Sequence, residues 1–367
     1  MSDQKTIQVG LIGVGGVADY VHYPGFKSAP NVEVSAIFDP DSELLAQRAT
    51  EWEVDTCSSL DELLNRDEID AVAVATPNFV HAECAIAAFK KGKHVICEKP
   101  LAMNLAQAHE MLDAARASGA RHMTAFTYRF VPGMRYLKHL IDRGDLGEPR
   151  HFRAQRFQDW GNMSVGWRQY KDKAGTGELG DMASHRLDYG RYLLGEITSV
   201  CGAMKHVLPR DRDRDGNPIP PSDTDDWVAV IGEFESGVTG VWESTKLATG
   251  HKMGGISHDF AEINGSEATA IYQLNRPYEI KFGTSEKSME TVPVPKEFWK
   301  LPESLRVAGE GDSAQVWRWD QEVEFIRAIR EGRDCEPSFA DGTRSQAVME
   351  AVLQSVEERR WVEVERR

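Results

Sequence analysis

Residues 7–18, IQVGLIGVGGVA, decide the fold, because a short apolar run passes directly into a glycine-rich turn. An apolar run of this length, rich in isoleucine, valine and leucine, predicts a buried β-strand. The glycines at 13, 15 and 16 permit a tight turn, and the residues after them open a helical pattern. The stretch therefore predicts a strand, a turn and a helix in immediate succession.

The same alternation continues to about residue 127. Further apolar runs, separated by helical patterns, read VEVSAIF, IDAVAVAT, HVICEK and RHMTAF. Continuous apolar strands that alternate with helices imply a parallel sheet covered on both faces. We therefore predict a doubly wound α/β domain over residues 1–127.

A different pattern begins at residue 128. Helices are predicted over 132–141 and within DMASHRLDYGRYLL, with a strand at 150–158 between them. Closely spaced strands follow in DWVAVIGEFES, GVTGVWESTKL, DFAEINGS, ATAIYQLN and YEIKFG, and helices over 316–330 and 342–358 end the chain. Residues 128–367 therefore predict a second α/β domain with an open, mostly antiparallel sheet.

Length, charge and cysteine content limit the function classes. The chain has 367 residues, more than the roughly 250 that one core usually serves, which agrees with two domains. A net charge of -15 argues against nucleic acid or an anionic membrane as a partner. No apolar run approaches the roughly 18 residues that cross a bilayer, and no secretory signal opens the sequence. Five scattered cysteines fit reduced thiols, so we expect a cytoplasmic protein.

One segment imitates a metal site. Residues 211–216, DRDRDG, match the first half of a calcium-binding loop. The position that should carry a bidentate glutamate is Ser222, and prolines stand at 218, 220 and 221. We therefore predict a charged surface insertion over 210–222 and no metal site.

The glycine turn is a candidate phosphate cradle. Gly13-Val14-Gly15-Gly16-Val17-Ala18 fits G-x-G-x-x-A, a pattern that lets a pyrophosphate approach a helix N-terminus. The second strand ends at Asp39, where a carboxylate could bind the ribose hydroxyls of an adenosine. Its charge would repel a 2′-phosphate, so NAD is favoured over NADP. The alternative is a glycine-rich turn that binds no nucleotide.

Two further strand ends fall on the same carboxyl edge, where ligands of such sheets bind. One carries Thr76-Pro77-Asn78 with His81 just beyond, and Thr76 and Asn78 could equally be helix caps. The other carries Glu98 and Lys99, with a proline that fixes the backbone immediately after the lysine. A rigidly held ammonium beside a nicotinamide could polarise a substrate oxygen. The alternative is an exposed Glu–Lys ion pair.

The second domain supplies candidate partners for Lys99. Asp181, His185 and Asp188 are spaced four and three residues apart, which places them on one face of a helix. An imidazole titrates near pH 6.5, so His185 suits a general base that takes the proton of a hydroxyl group. Asp181 would pair with Lys99 or relay charge. A solvated helix face fits the same spacing.

These motifs together carry a resemblance. GVGGVA, ATPNFVHAECAIAAFKKGKHVICEKPLA, FTYRFVP and GTGELGDMASHRLD resemble the glucose-fructose oxidoreductase/inositol dehydrogenase/MocA (Gfo/Idh/MocA) family over essentially the whole chain. The resemblance implies an N-terminal NAD(P)-binding Rossmann domain and a C-terminal domain for substrate binding and oligomerisation. It also implies a homodimer or homotetramer, and oxidation of a secondary hydroxyl of a sugar, sugar derivative or cyclitol.

The resemblance also implies residue roles. The catalytic lysine, aspartate and histidine of the family fall on Lys99, Asp181 and His185. Cofactor contacts are implied for Gly13, Val14, Gly15, Gly16, Val17, Asp39, Thr76, Pro77, Asn78, His81, Glu98 and Lys99, and further substrate contacts for Thr127, Arg129, Trp167 and Arg168. Some members of the family hydrolyse glycosidic bonds through transient oxidation at C3, so an NAD-dependent glycoside hydrolase is the alternative that the resemblance allows. A non-catalytic nucleotide sensor would lack the catalytic set.

Overall fold

The computed structural model describes residues 5–160, 163–253, 258–309 and 316–366. The chain divides into two compact units. Among the described residues, the first comprises 5–127, 300–308 and 316–343, and the second comprises 128–160, 163–253, 258–299, 309 and 344–366. The sequence predicts one domain over residues 128–367, whereas residues 300–308 and 316–343 belong to the first unit.

A six-stranded sheet in the order β3-β2-β1-β4-β5-β6 forms the centre of the first unit. Its strands are β1 (Ile7–Ile12), β2 (Val32–Phe38), β3 (Asp55–Thr56), β4 (Ala71–Val74), β5 (His94–Cys97) and β6 (His122–Thr124). All the pairings are parallel. The strand order reverses at β1, so a crevice opens beyond the carboxyl ends of β1 and β4. The predicted doubly wound sheet is confirmed.

Helices cover this sheet and bury its apolar strands. They are α1 (Tyr23–Lys27), α2 (Ser42–Trp52), α3 (Leu60–Leu64), α4 (His81–Lys90), α5 (Leu105–Ser118) and α9 (Asp320–Glu331). A π-helical turn, Ala18–His22, precedes α1. Side chains of α4 and α5, such as Phe89 and Leu112, pack against Val72 and Val95 of the sheet in a buried core. Burial on both faces explains why these strands read as unbroken apolar runs.

A nine-stranded sheet in the order β14-β13-β12-β11-β7-β10-β9-β8-β15 forms the second unit. Its strands are β7 (Pro149–Phe157), β8 (Ile197–Lys205), β9 (Trp227–Phe234), β10 (Thr239–Thr245), β11 (His258–Gly265), β12 (Ala268–Gln273), β13 (Glu279–Thr284), β14 (Glu290–Pro293) and β15 (Val362–Glu363). Only β7 with β10 is parallel among the pairings of these strands. The predicted open and mostly antiparallel sheet is confirmed.

One face of this second sheet is packed by helices. The helices of this part of the chain are α6 (Pro132–Asp142), α7 (Lys171–Ala174), α8 (Ser184–Leu194) and α10 (Phe339–Glu358), of which α6 and α8 pack on the sheet and α10 begins within the first unit. A second π-helical turn, Leu179–Ala183, leads into α8. Trp242 of β10 lies under α8, and its indole N–H donates to the carbonyl of Arg186 at 2.8 Å. Over the part of the chain that the structure describes, every helix is too short or too polar to cross a membrane.

Candidate active site

The turn after β1 requires glycine at one position and leaves open space at another. Gly13 has φ +87, and a Cβ there would lie 2.7 Å from the carbonyl oxygen of Ala75. A Cβ on Gly15 would meet no atom within 4 Å. The helical segment that follows begins with N–H groups that have no intrahelical partner. An open surface beside such N–H groups is the environment that a pyrophosphate needs.

Asp39 is held against this turn by the backbone. Its Oδ2 accepts the N–H of Val14 at 2.9 Å, and its Oδ1 accepts the N–H of Asp41 at 2.9 Å. Each carboxylate oxygen keeps a further lone pair that can accept a ribose hydroxyl, while the charge disfavours a 2′-phosphate. The open face at Gly15 and the fixed carboxylate of Asp39 therefore fit NAD.

His81 connects two loops at the carboxyl edge of the first sheet. Its Nε2 lies 3.0 Å from the carbonyl oxygen of Thr76, and its Nδ1 lies 3.0 Å from that of Pro100. Burial lowers the pKa of His81, and the hydrogen bonds to Thr76 and Pro100 oppose that effect. The N-cap residue of α4 is Val80, which makes no side-chain cap hydrogen bond. The Thr76-Pro77-Asn78 loop is instead tied by His81 to the segment that carries Lys99.

Glu98 and Lys99 follow β5 at the same edge, and both are partly buried. One oxygen of Glu98 lies 3.1 Å from Nε2 of His22, and the other accepts the N–H of Lys99 at 3.2 Å. The Glu98 side chain is only 13% exposed, so a solvated surface ion pair does not describe it. The backbone of Lys99 is therefore held by the carboxylate beside it.

In the second unit the predicted Asp-His-Asp face is split between two kinds of helix. Asp181 lies in the π-helical turn Leu179–Ala183, and His185 and Asp188 lie in α8. The carboxylate of Asp225 fixes the start of this turn by accepting the N–H of Gly177 at 2.6 Å and that of Leu179 at 2.8 Å. π-helical turns are rare and are frequent at functional sites.

A buried acid lies directly beside Asp181. Glu178 is fully buried, and its Oε1 accepts the hydroxyl of Ser244 at 2.5 Å. Its Oε2 lies 3.8 Å from Nζ of Lys246. Burial raises the pKa of Glu178 to about 7, against the opposing effects of Lys246 and Ser244. The residue directly before the π-helical turn is therefore a buried acid with a pKa near neutral pH.

His185 and Asp188 have different surroundings. The His185 ring is buried at the edge of Tyr128, with 4.4 Å between ring centroids. Asp188 forms a buried two-point ion pair with Arg129. Both residues are buried, so the alternative of a solvated helix face does not describe them.

Arg168 belongs to the neighbourhood of Asp181. Its Nε lies 3.7 Å from Oδ1 of Asp181, and its guanidinium stacks on the ring of Trp167 at 4.4 Å. The Arg168 side chain is 43% exposed, so a ligand can reach it. Thr127, the last residue of the first unit's opening segment, is buried.

The structure thus gathers the candidate residues into one group in each unit. Sequence reasoning missed several polar residues that support these groups, namely His22, Glu178, Asp225, Lys246 and Glu322. Glu178 carries one signal in the sequence, because its place in the glycine-rich loop is close to Asp181. In the charged insertion, the carboxylate of Asp213 accepts the N–H groups of Asp215 and Asn217.

Comparison with known proteins places the chain in a family. Residues 7–126 match the model of the oxidoreductase family with an NAD-binding Rossmann fold, and residues 134–271 match the GFO/IDH/MocA C-terminal domain. The chain belongs to the Gfo/Idh/MocA oxidoreductase family. It is an oxidoreductase, and NAD is its cofactor.

Individual relatives extend over most of the chain. Levoglucosan dehydrogenase of Pseudarthrobacter phenanthrenivorans is 32% identical in an alignment of 394 positions, gaps included. The alignment covers 98% of this chain and 98% of that one. 2,7-anhydro-N-acetylneuraminate hydratase of Escherichia coli is 30% identical over 71% of this chain and 69% of its own. The solved structure of a levoglucosan dehydrogenase in complex with NADH and levoglucosan matches with a TM-score of 0.90 and 31% identity, over 98% of this chain and 100% of that one.

Proposed function

We propose that the protein is an NAD-dependent dehydrogenase that oxidises a secondary hydroxyl of a sugar, sugar derivative or cyclitol. The observation that carries this proposal is the likeness, along almost the entire chain, to a levoglucosan dehydrogenase solved with NADH and levoglucosan. The NAD-binding domain of the family supplies the hydride acceptor. The candidate residues Lys99, Asp181 and His185 supply the acid–base groups that the reaction requires.

The roles of these residues follow from their chemistry. His185 takes the hydroxyl proton, because its imidazole is the one group of the set that titrates near neutral pH when unperturbed. Lys99 stabilises the oxygen as negative charge develops on it. Asp181 orients these two groups or relays charge between them. The first unit, which contains residues 1–127, provides the NAD site, and the second unit provides the substrate site and the assembly surface.

The cofactor contacts are those of the first unit. The pyrophosphate lies against Gly13, Val14, Gly15, Gly16 and Val17, and Asp39 binds the ribose hydroxyls. Thr76, Pro77, Asn78, His81, Glu98 and Lys99 line the rest of the cofactor site. The open face at Gly15 and the position of Asp39 beside the turn support this assignment.

The substrate contacts lie close to Asp181 and His185. Arg168 is the best supported, since it is half-exposed and lies 3.7 Å from Asp181. Trp167 offers its ring to a sugar face while stacking on Arg168. Thr127 and Arg129 complete the pocket wall, although the pairing of Arg129 with Asp188 supports a role in holding α8.

One experiment tests the proposal directly. The enzyme is supplied with NAD and a panel of monosaccharides, anhydrosugars, including levoglucosan, and inositols, and NADH absorbance is followed. Reduction of NAD by at least one sugar or cyclitol is expected, and its loss in Lys99→Ala assigns the activity to this site. Failure of the whole panel to reduce NAD contradicts the proposal.

A hydratase among the relatives favours one alternative, an NAD-dependent glycoside hydrolase that works by transient C3 oxidation and elimination. In that reaction the hydride returns to the sugar, so an aryl glycoside is cleaved without net NADH. The same panel, extended with aryl glycosides, separates the two reactions. Net NADH from a free sugar supports the dehydrogenase.

We also propose that the protein is a cytoplasmic homodimer or homotetramer. All five cysteines are free thiols, which supports a reducing compartment. Ile231 and Val241 are exposed apolar residues that face each other across β9 and β10, which supports association through the second sheet. Light scattering on the eluted protein tests the assembly, and a monomer would contradict it.

A further inference from the structure

A histidine of the first unit is buried between two carboxylates. Nε2 of His22 lies 3.1 Å from Oε1 of Glu98, and Nδ1 lies 2.8 Å from Oε1 of Glu322. The side chains of His22 and Glu322 are 0% exposed. A carboxylate beside each ring nitrogen favours the protonated imidazole, because the positive ring then offsets the negative charges next to it. The Nε2 contact with Glu98 is a hydrogen bond, whereas the Nδ1 contact with Glu322 is an ion-pair contact without hydrogen-bond geometry.

Three separate elements bring these residues together. His22 ends the π-helical turn that follows the glycine loop, Glu98 follows β5, and Glu322 lies in the first turn of α9. Their approach is close, because a Cβ on Gly25 would lie 2.3 Å from Oε2 of Glu322. The amide of Gln321 donates to Glu322 Oε1 at 2.9 Å. The cluster is thus built into the packing of α1 against α9.

The charges of the cluster follow from burial and pairing. Burial works to lower the pKa of His22, but the hydrogen bonds and charges of Glu322 and Glu98 outweigh it and raise the value to about 10. Burial raises the pKa of Glu322 to about 7, although His22 and Gln321 oppose it. For Glu98, burial is outweighed by His22 and Lys99, so its pKa is lowered. Near neutral pH the net charge of the cluster is therefore -1 or zero, depending on a proton at Glu322.

Other titratable groups also face this cluster. The charge of Lys99 lowers the pKa of Glu98. His81 and the Cys97 thiol also lie within the electrostatic reach of Glu98, and the burial of each favours its neutral form. Glu322 is faced by His22, with the uncharged Gln321 beside it. Glu322 is the group of this set whose charge changes closest to pH 7.

We propose that His22 and Glu322 are positioning residues that hold Glu98 at the cofactor edge, and that deprotonation of Glu322 makes the enzyme favour NAD⁺ over NADH. The inference rests on the proposed function, which places Glu98 in the cofactor site. The nicotinamide ring is cationic in NAD⁺ and neutral in NADH, so a net negative cluster near it stabilises the oxidised form. As the pH falls through about 7, Glu322 takes up a proton and this preference weakens.

The test measures binding without any sugar. NADH affinity is followed by fluorescence, and NAD⁺ affinity by competition, from about pH 6 to about pH 8.5. In the wild type the ratio of the dissociation constants of NAD⁺ and NADH should fall severalfold as the pH rises, up to about tenfold for a unit charge near the surface. A ratio that does not change with pH overturns the proposal without any variant.

Two variants separate charge from position. Glu322→Gln is isosteric and keeps an acceptor for His22, so it should bind both cofactors but lose the pH dependence of the ratio. His22→Gln removes the donor to Glu98 or that to Glu322 and should weaken both cofactors by about tenfold at every pH. Retention of the wild-type pH dependence in Glu322→Gln overturns the proposal.

A matched control is His122→Gln in the same unit. His122 is also largely buried, accepts the N–H of Phe339 at 3.1 Å and packs against Phe89. This variant should lower thermal stability while leaving the cofactor ratio and its pH dependence unchanged. Because these readouts need no substrate, their failure is distinguishable from failure of the sugar panel.

Discussion

Arg129 and Asp188 form a two-point ion pair in the interior of the second unit. Nε of Arg129 donates to Oδ2 of Asp188 at 2.8 Å, and Nη2 donates to Oδ1 at 2.5 Å. The guanidinium also lies 4.9 Å from the centroid of the Tyr192 ring. Since Asp188 is one helical turn beyond His185, this pair fixes the helix that carries the candidate base.

The first prediction concerns this pair. Arg129→Met leaves the carboxylate of Asp188 buried without its partner, which should lower stability by about 3–5 kcal/mol. Thermal unfolding should shift downwards by roughly 6–15 °C. Arg129→Met combined with Asp188→Leu should recover much of the lost stability, because no buried charge then lacks its counter-charge.

As a control, Lys138→Ala in the exposed Lys138–Asp142 pair should change stability by less than about 1 kcal/mol. Equal effects at both pairs would refute the structural role.

The second prediction concerns Lys99. Lys99→Ala should lower turnover by about 10²–10³-fold or more, since an oxyanion loses its stabilising group. NADH affinity, measured by fluorescence, should change far less than turnover, because the contacts proposed at the glycine turn and Asp39 remain. The exposed Lys91 of the same unit provides a control, and Lys91→Ala should retain full turnover. An active Lys99→Ala enzyme would remove this lysine from the mechanism.

The third prediction concerns cofactor choice at Asp39. Asp39→Asn keeps an oxygen for the N–H of Val14 but removes the negative charge. The ratio of NADPH to NADH affinity should rise by about tenfold, because the repulsion of the 2′-phosphate is lost. The measurement is paired fluorescence titration with NADH and NADPH. An unaltered ratio would show that the carboxylate does not face the ribose.

The fourth prediction concerns the pH dependence of stability at Glu178. Its pKa is raised to about 7 in the fold, above the ordinary value of 4.5 for a glutamate, so the unfolded chain releases this proton first. Its contribution to stability therefore falls as pH rises from about 4.5 to about 7, then stays level. Glu178→Gln keeps an acceptor for Ser244 and removes the titration. The melting temperature of Glu178→Gln minus that of the wild type should therefore increase between about pH 5 and about pH 7.5.

Glu267 provides the control for that experiment. It is exposed and accepts the hydroxyl of Ser266 at 3.2 Å, so it repeats the Glu–Ser hydrogen bond at the surface. Glu267→Gln should follow the wild-type pH curve. If the melting temperature of Glu178→Gln followed the same pH dependence as the wild type, a raised pKa at Glu178 would be contradicted.

The sequence predicted the first sheet well because its strands are buried on both faces. Each of the runs IQVGLI and VEVSAIF became a strand with the predicted bounds, Ile7–Ile12 and Val32–Phe38. In the second unit the strand predicted at 150–158 is Pro149–Phe157, because its alternating burial gives the period of a half-buried strand. Short edge strands such as Asp55–Thr56 and Val362–Glu363 were missed, since two residues carry no periodicity.

The candidate site was less accessible to sequence reasoning. The spacing of Asp181 and His185 assumed a regular α-helix, whereas a π-helical turn depends on local packing that no residue pattern encodes. The pairing of His22 with Glu322 joins residues 300 positions apart, which spacing rules cannot reach. A glutamate among the buried residues of α9 was a possible signal, because buried carboxylates require partners.

The return of α9 to the first unit has a consequence for biosynthesis. A ribosome adds about 5–20 residues per second, so roughly 10–45 s separate the synthesis of Glu98 from that of Glu322. During that interval the nascent nucleotide-binding half lacks the helix that covers His22. A polypeptide terminated before Asp320 would leave this histidine accessible to water, and quality-control proteases would encounter an unfinished domain.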